Sequence, residues 1–535
     1  MASDQALQWW QTGIFYQVYP RSFQDTNHDG TGDLQGIIQR LDYLQWLGIR
    51  AVWISPIFPS PMADFGYDIS DYTGIDPLFG TMADFEALLA AAHERDMKVI
   101  LDLVPNHTSA QHPWFLESRA SRDNPKRDWY IWKDPCPDGS PPNNWLAMFG
   151  GSAWEWDETT GQYYYHAFLK EQPDLNWRNP EVRQAIYGVM RFWLDKGVDG
   201  FRVDVMWHLI KDSQYRNNPV NPNYLPEQAT YEQLLPVYST DQPEVHDIVQ
   251  EMRQVLDEYK GRMMIGEIYL PIHKLIAYYG PQNNGAQLPF NFLLLSLPWE
   301  PLQLAAGIAE YEGALPGGAW PNWVLGNHDQ PRISSRIGLE QAKIAAMLLL
   351  TLRGTPTIYY GEEIGMKDVP IPPDEIKDPQ GLNMPDKNLS RDPQRTPMQW
   401  DNTPFAGFST TKPWLRTGSN YKRINVSRQQ QDPYSHLSLY KRLINLRTQE
   451  PSLSEGSYLP LHADTQAMVY LREAPGATKF LIALNLSHRP CYISIQHRQL
   501  KGTVVVATTQ ELEGSVLTET FHLSGDDGII VALED

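Results

Sequence analysis

The chain has 535 residues, of which 42% are hydrophobic and 20% are charged. This composition provides a large buried core and is not typical of a disordered protein. The formal net charge of −20 disfavours a nucleic-acid partner, because binding a phosphate backbone requires a basic surface.

Cysteine usage and apolar segments indicate the compartment. The two cysteines, Cys136 and Cys491, are far apart in the sequence, so no disulfide framework is predicted and a reducing compartment suits the chain. The first ten residues carry no apolar signal core, and the longest apolar stretches are far shorter than a membrane span. We therefore expect a soluble, cytoplasmic protein without a membrane partner, whose oligomeric state the sequence leaves open.

Residues 14–20 predict a first buried strand, and the loop after it is rich in oxygen-bearing side chains. In residues 25–33, DTNHDGTGD, such side chains recur at every second position. A hard cation binds a set of this kind, and the alternative is an Asx-rich surface turn. We expect a structural Ca²⁺ ion, or Mg²⁺ if the site is stiffer. The predicted ligands are Asp25, Asn27, Asp29, Asp33 and the carbonyl of Thr31.

A helix is predicted over residues 34–47, and short apolar strands then alternate with loops and helices. This rhythm is typical of parallel strands joined by helical crossovers, and eight rounds close a TIM barrel. The fold class is therefore α/β, a (β/α)8 barrel, with only the sixth strand weakly marked. The predicted strands are 14–20, 49–54, 98–104, 198–203, 262–266, 288–292, 323–326 and 355–360.

Two segments depart from the rhythm. Residues 107–177 are too long for a connecting loop and predict a subdomain inserted after the third strand. Residues 365–427, rich in Pro and Asp, predict an extended loop region after the eighth strand, and later alternating runs predict antiparallel β structure. The predicted domains are a barrel (1–106 and 178–455), an inserted subdomain (107–177) and a C-terminal β domain (456–535).

Polar side chains recur where the predicted barrel strands end, the face on which barrel enzymes carry their active sites. Any one of them alone could be a cap or a structural ion pair, but together they predict a shared cleft. The residues are Asp102, Asn106, His107, Arg202, Asp204, Glu267, His328 and Asp329, with Asp68 in the loop after the second strand.

Two carboxylates in different environments are what cleavage of a glycosidic bond requires. Asp204 is the predicted nucleophile because the neighbouring Arg202 would lower its pKa. Glu267 follows the apolar run 263–266, and burial there would favour its neutral form as the general acid. Asp329 would hold ring hydroxyls and strain the sugar toward the oxocarbenium shape.

The chain resembles the α-amylase superfamily, glycoside hydrolase family 13, across nearly its whole length. The similar blocks are DLVPNH (102–107), GFRVD (200–204), GE (266–267) and NHD (327–329), with QPDLN (172–176) in the inserted subdomain. The resemblance implies that Asp204 is the nucleophile, Glu267 the general acid/base and Asp329 the transition-state stabiliser. It also implies retention at an α-linkage, with attacking groups about 5–5.5 Å apart.

Within that family the chain is similar to the α-glucosidases and oligo-1,6-glucosidases, through blocks 66–72 and 391–400 as well as 172–176. In such enzymes an aspartate and an arginine from these two blocks hold the non-reducing terminal glucose, which implies exo action on small α-glucosides. Asp68 matches the aspartate; Arg395 is the first choice for the arginine and Arg391 the second. The metal loop is similar to the structural Ca²⁺ or Mg²⁺ site of these glucosidases.

The predicted substrate-binding set contains one tyrosine from block 66–72. Position 71 holds an aspartate, Asp71, so no tyrosine at that position belongs to the set. The predicted substrate-binding residues are Tyr67, Asp68, His107, Phe168, Arg202, His328, Arg391 and Arg395.

Linkage preference stays open. Val205 follows the nucleophile and in the resembling subgroup tends to accompany α-1,6 activity. Residues 206–208 and 268–271 are instead more similar to broad-specificity α-glucosidases, and transglucosylation is expected. One alternative is a related glucosyltransferase or disaccharide isomerase. A second is a non-catalytic, transporter-associated relative, which is far less favoured because all three catalytic carboxylates are present.

Overall fold

The computed structural model describes residues 7–495 and 500–534, and its centre is a barrel of short parallel strands. Eight of the first eleven strands form one sheet in the order β10-β11-β1-β2-β3-β7-β8-β9. The predicted (β/α)8 fold is confirmed, including its weakly marked sixth strand, β9. The strands are β1 (Phe15–Val18), β2 (Ala51–Ile54), β3 (Lys98–Leu103), β4 (Trp132–Lys133), β5 (Trp154–Asp157), β6 (Gln162–Tyr165), β7 (Gly200–Val203), β8 (Met263–Gly266), β9 (Leu288–Pro289), β10 (Asn322–Val324) and β11 (Thr355–Tyr359).

The gap between β9 and β10 is bridged by a side chain. Asn322 donates from Nδ2 to the carbonyl of Pro289 (2.5 Å) and accepts at Oδ1 from the amide of Asn291 (3.0 Å). Strand β9 has two residues, and Pro289 has no N–H to offer a neighbour. The amide of Asn322 therefore links the two edges of a nearly closed barrel.

Helices fill the crossovers, and local sequence explains where they begin and end. Helix α2 begins where the Asp33 side chain accepts from the amide of Gly36, and it ends at Gly48 with φ of 100°. The predicted helix over 34–47 is confirmed. The helices are α1 (Trp9–Thr12), α2 (Leu34–Leu47), α3 (Met82–Glu94), α4 (Pro113–Ala120), α5 (Pro180–Asp195), α6 (Val245–Asp257), α7 (Ile272–Leu275), α8 (Leu293–Ser296), α9 (Pro301–Ala314), α10 (Ile333–Thr351), α11 (Pro379–Asn383), α12 (Val426–Gln429), α13 (His436–Gln449) and α14 (Pro451–Ser454).

The segment between β3 and α5 contains a small antiparallel sheet in the order β4-β6-β5. Aromatic side chains supply much of its core, for example Phe115 stacked on Trp132 with ring centres 5.7 Å apart. A backbone bridge pairs His107, which follows β3, with Asp174, and the amide of Leu175 donates to the carbonyl of Asn106. The insertion is therefore attached at the rim where the candidate site residues lie.

The C-terminal region forms an antiparallel sheet in the order β12-β13-β14-β19-β16-β17, beside a two-stranded sheet of β15 and β18. Alternation along β13 places Met468 and Tyr470 in the barrel-side core and Val469 and Leu471 in a separate C-terminal core. The strands are β12 (Ser457–Ala463), β13 (Ala467–Glu473), β14 (Phe480–Asn485), β15 (Cys491–Ser494), β16 (Gly502–Ala507), β17 (Val516–Leu517), β18 (Thr520–Leu523) and β19 (Gly528–Leu533).

Within residues 7–495 and 500–534, no helix has both the length and the apolar character needed to cross a bilayer. Cys136 and Cys491 are both free thiols. A cytoplasmic location stays a prediction.

Candidate active site

Three carboxylates meet around one arginine where β3, β7 and β8 end. Asp102 and Arg202 are register partners on adjacent strands, and Arg202 donates from Nη1 to Asp102 (2.8 Å) and Asp204 (2.7 Å). Its Nη2 lies 2.7 Å from Oε2 of Glu267. We call Arg202 with these three carboxylates the floor cluster.

Electrostatics in the floor cluster favour retention of a proton. Burial raises the pKa of Asp102, Asp204 and Glu267, and the Arg202 guanidinium opposes this rise. Because one cation faces three buried carboxyl groups, burial outweighs its effect on their pKa values. Arg202 lowers the pKa of Asp204, as expected, but burial outweighs the cation and the net shift is upward.

The backbone after β7 also brings the predicted nucleophile and acid together. Val205 donates from its amide to Oε2 of Glu267 (2.9 Å) and has a left-handed backbone with φ of 38°, which is unusual for a β-branched residue. Asp204 and Glu267 therefore share the guanidinium of Arg202. They are also linked by Val205, which follows Asp204 in the chain and whose amide binds Glu267. This arrangement is compatible with the short separation of about 5–5.5 Å that retaining enzymes use.

Asp329 lies opposite the floor cluster and is surrounded by positive charge. Its Oδ1 accepts from Arg395 (2.8 Å) and Arg391 (3.2 Å), and its Oδ2 lies 3.3 Å from Nε2 of His328. Burial alone would raise the pKa of Asp329, but His328, Arg391 and Arg395 lower it well below its usual range. Asp329 is therefore ionised wherever the enzyme is folded at ordinary pH.

His328 is fixed in orientation by its neighbours. Gln17 donates to its Nδ1 (2.8 Å), which leaves the Nε2 proton for Asp329 or a ligand. The imidazole is stacked against Tyr67, with ring centres 5.3 Å apart and planes 7° apart. Burial lowers the pKa of His328 well below its ordinary value, so the ring is a neutral hydrogen-bond donor.

These groups surround a cavity of about 640 Å³, large enough for a small sugar. Most predicted site residues line it, whereas Asp68, Arg202 and Arg395 are fully buried behind its wall. The lining residues among those predicted are Tyr67, His107, Phe168, Asp204, Glu267, His328, Asp329 and Arg391.

Asp64, rather than the expected Asp68, is the aspartate of this loop that lines the cavity. The Asp68 carboxylate accepts from Ser60 Oγ and from the amides of Ala63 and Asp64, so it faces its own loop. Asp64 lines the cavity instead, and its Oδ1 lies 2.6 Å from Nη2 of Arg391. The signal that could have revealed it is its position two residues before Gly66, beside the block used to choose Asp68.

Asp71 is exposed, and position 71 therefore contributes no tyrosine to the site. The Asp71 carboxylate accepts from the amide and the hydroxyl of Thr73, so it stabilises a surface turn. The tyrosine of this block is the next residue, Tyr72, which is buried and donates to the carbonyls of Val104 and His107. Tyr72 therefore supports the backbone of the rim, and Tyr67 is the tyrosine of the block that lines the cavity.

Arg391, rather than Arg395, is the arginine that faces the cavity. It pairs with Asp64, Asp329 and also Asp378, whose Oδ1 lies 2.7 Å from Nη2. Arg395 instead donates to the carbonyl of His328 and to Asp329, which holds Asp329 from behind. Asp378 lies in no recognisable motif, and nothing in the sequence marked it. We call Arg391 with Asp64, Asp329 and Asp378 the clamp cluster.

Comparison with known families adds to this geometry. The family described as "Alpha amylase, catalytic domain" matches residues 17–456. This chain belongs to the α-amylase family. An oligo-1,6-glucosidase of Heyndrickxia coagulans is 44% identical over 522 residues, which cover 90% of this chain and 92% of the relative. The present member is a glycoside hydrolase.

Solved structures of similar proteins include enzymes that transfer or isomerise. An α-glucosyl transfer enzyme, XgtA, matches with a TM-score of 0.94 and 38% identity, over 99% of this chain and all of that one. The trehalulose synthase MutB of Pseudomonas mesoacidophila MX-45 matches with a TM-score of 0.90 and 35% identity, over 99% and 100%. The structural similarity thus covers the barrel, the inserted subdomain and the C-terminal β region.

The inserted subdomain of this α-amylase family member completes one wall of the cavity. His107 and Phe168 line it with ring centres 5.2 Å apart. Burial lowers the pKa of His107 to about 4, so this ring is neutral. Lys211 from the loop after β7 forms an ion pair with Asp174, which fastens the subdomain to the barrel rim.

The predicted metal loop is curled and well connected. Asp25 accepts from the amides of His28 and Gly30 and from Ser409 Oγ, and Asp33 caps helix α2. Within residues 7–495 and 500–534, no three His, Cys, Asp or Glu side chains converge closely enough to hold a metal ion by themselves. Two of the five expected ligands are instead amide and carbonyl oxygens. An oxygen-only set of this kind fits Ca²⁺ or Mg²⁺ and excludes thiolate-type chemistry.

Proposed function

We propose that this protein is an exo-acting, retaining α-glucosidase that releases glucose from the non-reducing end of short α-glucosides. The observation that carries the proposal is the juxtaposition of two arginine-centred clusters across one cavity. The floor cluster holds a nucleophile and an acid, and the clamp cluster ends the cavity behind the sugar that would be cleaved.

Each step of the reaction has a residue. Asp204 attacks the anomeric carbon while Glu267 donates its proton to the leaving glycosidic oxygen, which gives a covalent glucosyl-aspartate and a free alcohol. Glu267 then takes a proton from water, which attacks the same carbon and releases Asp204. The ionised Asp329 stabilises the positive charge that develops on the ring in both steps.

Exo action follows from the clamp cluster. Asp64 and Arg391 both line the cavity and form an ion pair, and we place this pair where a chain extending past the terminal glucose would collide with it. The same two side chains offer acceptors and donors to the hydroxyl groups of that glucose. Phe149, whose ring centre lies 4.6 Å from the Arg391 guanidinium carbon, closes the pocket from the subdomain side.

Transglucosylation, or a related transferase or isomerase activity, is the second candidate. Apolar side chains form part of the cavity lining, beside polar ones such as Asn218 and Thr240, and an apolar wall favours an incoming sugar over bulk water. Similar structures titled as a glucosyl transfer enzyme and a trehalulose synthase support the same possibility. The residues of this wall include Leu146, Met148, Ala229, Tyr231, Leu234 and Pro236.

Product analysis tests the proposal. We expect proton NMR of p-nitrophenyl α-glucoside hydrolysis to show α-glucose first, because two displacements restore the configuration. Maltotetraose blocked at its non-reducing end should be inert while the unblocked sugar is cleaved. First release of β-glucose would contradict retention, and cleavage of the blocked sugar would contradict exo action. Isomerised sucrose without free glucose would favour the second candidate.

Linkage preference is tested with isomaltose and maltose. Val205 lines the cavity beside the nucleophile, and a β-branched side chain there narrows the path of the leaving sugar. We propose an α-1,6 preference, expressed as a higher kcat/KM for isomaltose that falls in Val205→Ala. Equal kcat/KM values for the two sugars would show that Val205 does not set the linkage preference.

We also propose that residues 25–33 bind a structural Ca²⁺ or Mg²⁺ ion. Asp25, Asn27, Asp29, Asp33 and the carbonyl of Thr31 would hold it, and it would stabilise the loop rather than take part in bond cleavage. Removal by EDTA should lower the Tm by several degrees, and added Ca²⁺ should restore it. An unchanged Tm in both conditions would reject the site.

A further inference from the structure

The loop that carries Asp64, residues 60–68, has a strained backbone, and we call it the clamp loop. Met62 and Phe65 have φ of 65° and 49°, in the left-handed region that side chains with a Cβ rarely adopt. A backbone of this kind persists only where surrounding contacts impose it. Asp68 supplies some of these contacts, through its bonds to Ser60, Ala63 and Asp64.

A buried arginine supplies further contacts from outside the loop. Arg21, in the short turn after β1, has its guanidinium carbon 5.0 Å from the ring centre of Phe65 and 5.1 Å from that of Trp414. The two rings are themselves 5.2 Å apart. Arg21 therefore contacts both the clamp loop and the segment that follows the eighth strand.

The surroundings of Arg21 are unusual for a buried cation. Only 8% of the residue is exposed, and its Nε is buried without a hydrogen-bond partner within the described part of the chain. Burial lowers the pKa of Arg21, and Tyr19 and Asp76 offset that only in part. Cation–π contacts grow stronger when they are desolvated, so the two rings add to that partial compensation.

Trp414 is itself held in place by the barrel. Its Nε1 donates to Ser22 Oγ (2.9 Å), and its amide donates to the carbonyl of Gly30 (2.9 Å). The ring is thus a fixed support, and Arg21 transmits that support to Phe65, the residue after Asp64.

We propose that Arg21 is a positioning residue, which holds Asp64 through Phe65 in the pose that meets Arg391 and the terminal glucose. Arg21 does not line the cavity and does not touch the reacting atoms. This inference rests on the proposed role of Asp64 in binding that glucose.

A double-mutant cycle with Asp64 tests the inference on the full chain with p-nitrophenyl α-glucoside. We expect Arg21→Met to lower kcat/KM about tenfold, mainly through KM, which is less than the about 100-fold that misplacing a group by 1 Å can cost. In an Asp64→Ala background the same change should lower kcat/KM less than about twofold, because its target is already gone. Arg21→Lys, which keeps the charge without the planar stack, should recover only part of the loss.

Arg40→Met is the matched control. Arg40 also stacks on a tryptophan, Trp400, at 4.0 Å, but its guanidinium donates to Gln24 rather than to the clamp loop. Its loss should change KM less than about twofold. Should Arg21→Met fail to fold, Phe65→Leu removes one ring of the stack and should raise KM in the same way.

The outcomes separate the two levels of the proposal. If Asp64→Ala leaves kcat/KM unchanged, the proposed binding role of Asp64 fails. If Asp64→Ala lowers it but Arg21→Met does not, or if the two losses are fully additive, Arg21 does not act through Asp64 and the inference is overturned.

Discussion

The floor cluster and the clamp cluster have the same composition, one arginine in contact with three carboxylates, yet they are built differently. Arg202 and Asp102 lie on adjacent strands in register, and Asp204 and Glu267 follow their strands directly. Arg391 and its partners come from loops: Asp378 lies 13 residues before Arg391, whereas Asp64 and Asp329 are far from it in the sequence. The strand ladder therefore sets the first cluster, whereas side-chain contacts between loops set the second.

The balance of charge differs as well. In the floor cluster a single cation faces three carboxyl groups, and burial raises the pKa of all three. In the clamp cluster Arg395 adds a second cation, and the pKa of Asp329 and of Asp378 is lowered although burial alone would raise it. Asp64, whose ion pair is with Arg391, has its pKa raised by burial to about 6.

This difference teaches how one cavity can hold both a proton donor and a permanent negative charge. In the proposed mechanism, Glu267 of the floor cluster, whose pKa is raised by burial, gives a proton to the leaving oxygen. Asp329, whose pKa is lowered by nearby cations, would stabilise the oxocarbenium-like transition state in that mechanism. Asp64, which faces the same two arginines, still has a raised pKa, so burial and the number of cations within reach together set the pKa of each carboxyl group.

Removing the nucleophile should have the largest effect. Asp204→Asn should lower kcat on p-nitrophenyl α-glucoside about 10,000-fold or more, because the covalent step is lost. Asp102→Asn is the comparison, since Asp102 contacts the same guanidinium but does not line the cavity, and it should cost far less. Equal losses in both variants would mean that the harm comes from disturbing Arg202 rather than from removing the nucleophile.

Removing the clamp arginine should have an intermediate effect. Arg391→Met leaves Asp64 and Asp378 buried without their ion pair, so we expect kcat/KM to fall about 100-fold with KM raised. Arg416→Met is the control, because Arg416 forms an exposed pair with Glu375 and such pairs contribute little. A clamp variant with normal KM would show that the clamp cluster does not bind the substrate.

The smallest effect concerns pH. Asp64 is ionised and paired with Arg391 above about pH 6, and it is protonated as the pH falls through that value. The wild type should therefore exceed Asp64→Asn in kcat/KM by the largest factor near pH 7.5. At pH 5 only about one tenth of Asp64 is ionised, so the two enzymes should nearly converge. If the ratio of the wild-type kcat/KM to that of Asp64→Asn does not change between pH 5 and pH 7.5, Asp64 does not titrate in this range.

Much of the fold and of the floor cluster could be predicted from the sequence. Apolar strands such as 98–104 end in polar residues, and parallel strands bring their carboxyl ends to one rim. The clamp cluster could not be predicted in the same way. Asp68 and Arg395 lie in the expected blocks, but the turn of the loop buries Asp68 against its own amides and directs Asp64 to the cavity. Asp378 carried no local signal because its partner, Arg391, is met only through tertiary contact.

The amino-acid order by itself determined the alternation of strands and helices and the presence of Asp204, Glu267 and Asp329 at strand ends, because these features depend on local periodicity. Only the tertiary structure decided which loop residues line the cavity and in which direction the pKa of each carboxyl group shifts. Those outcomes depend on burial and on the number of cations within a few ångströms, and distant parts of the chain supply both.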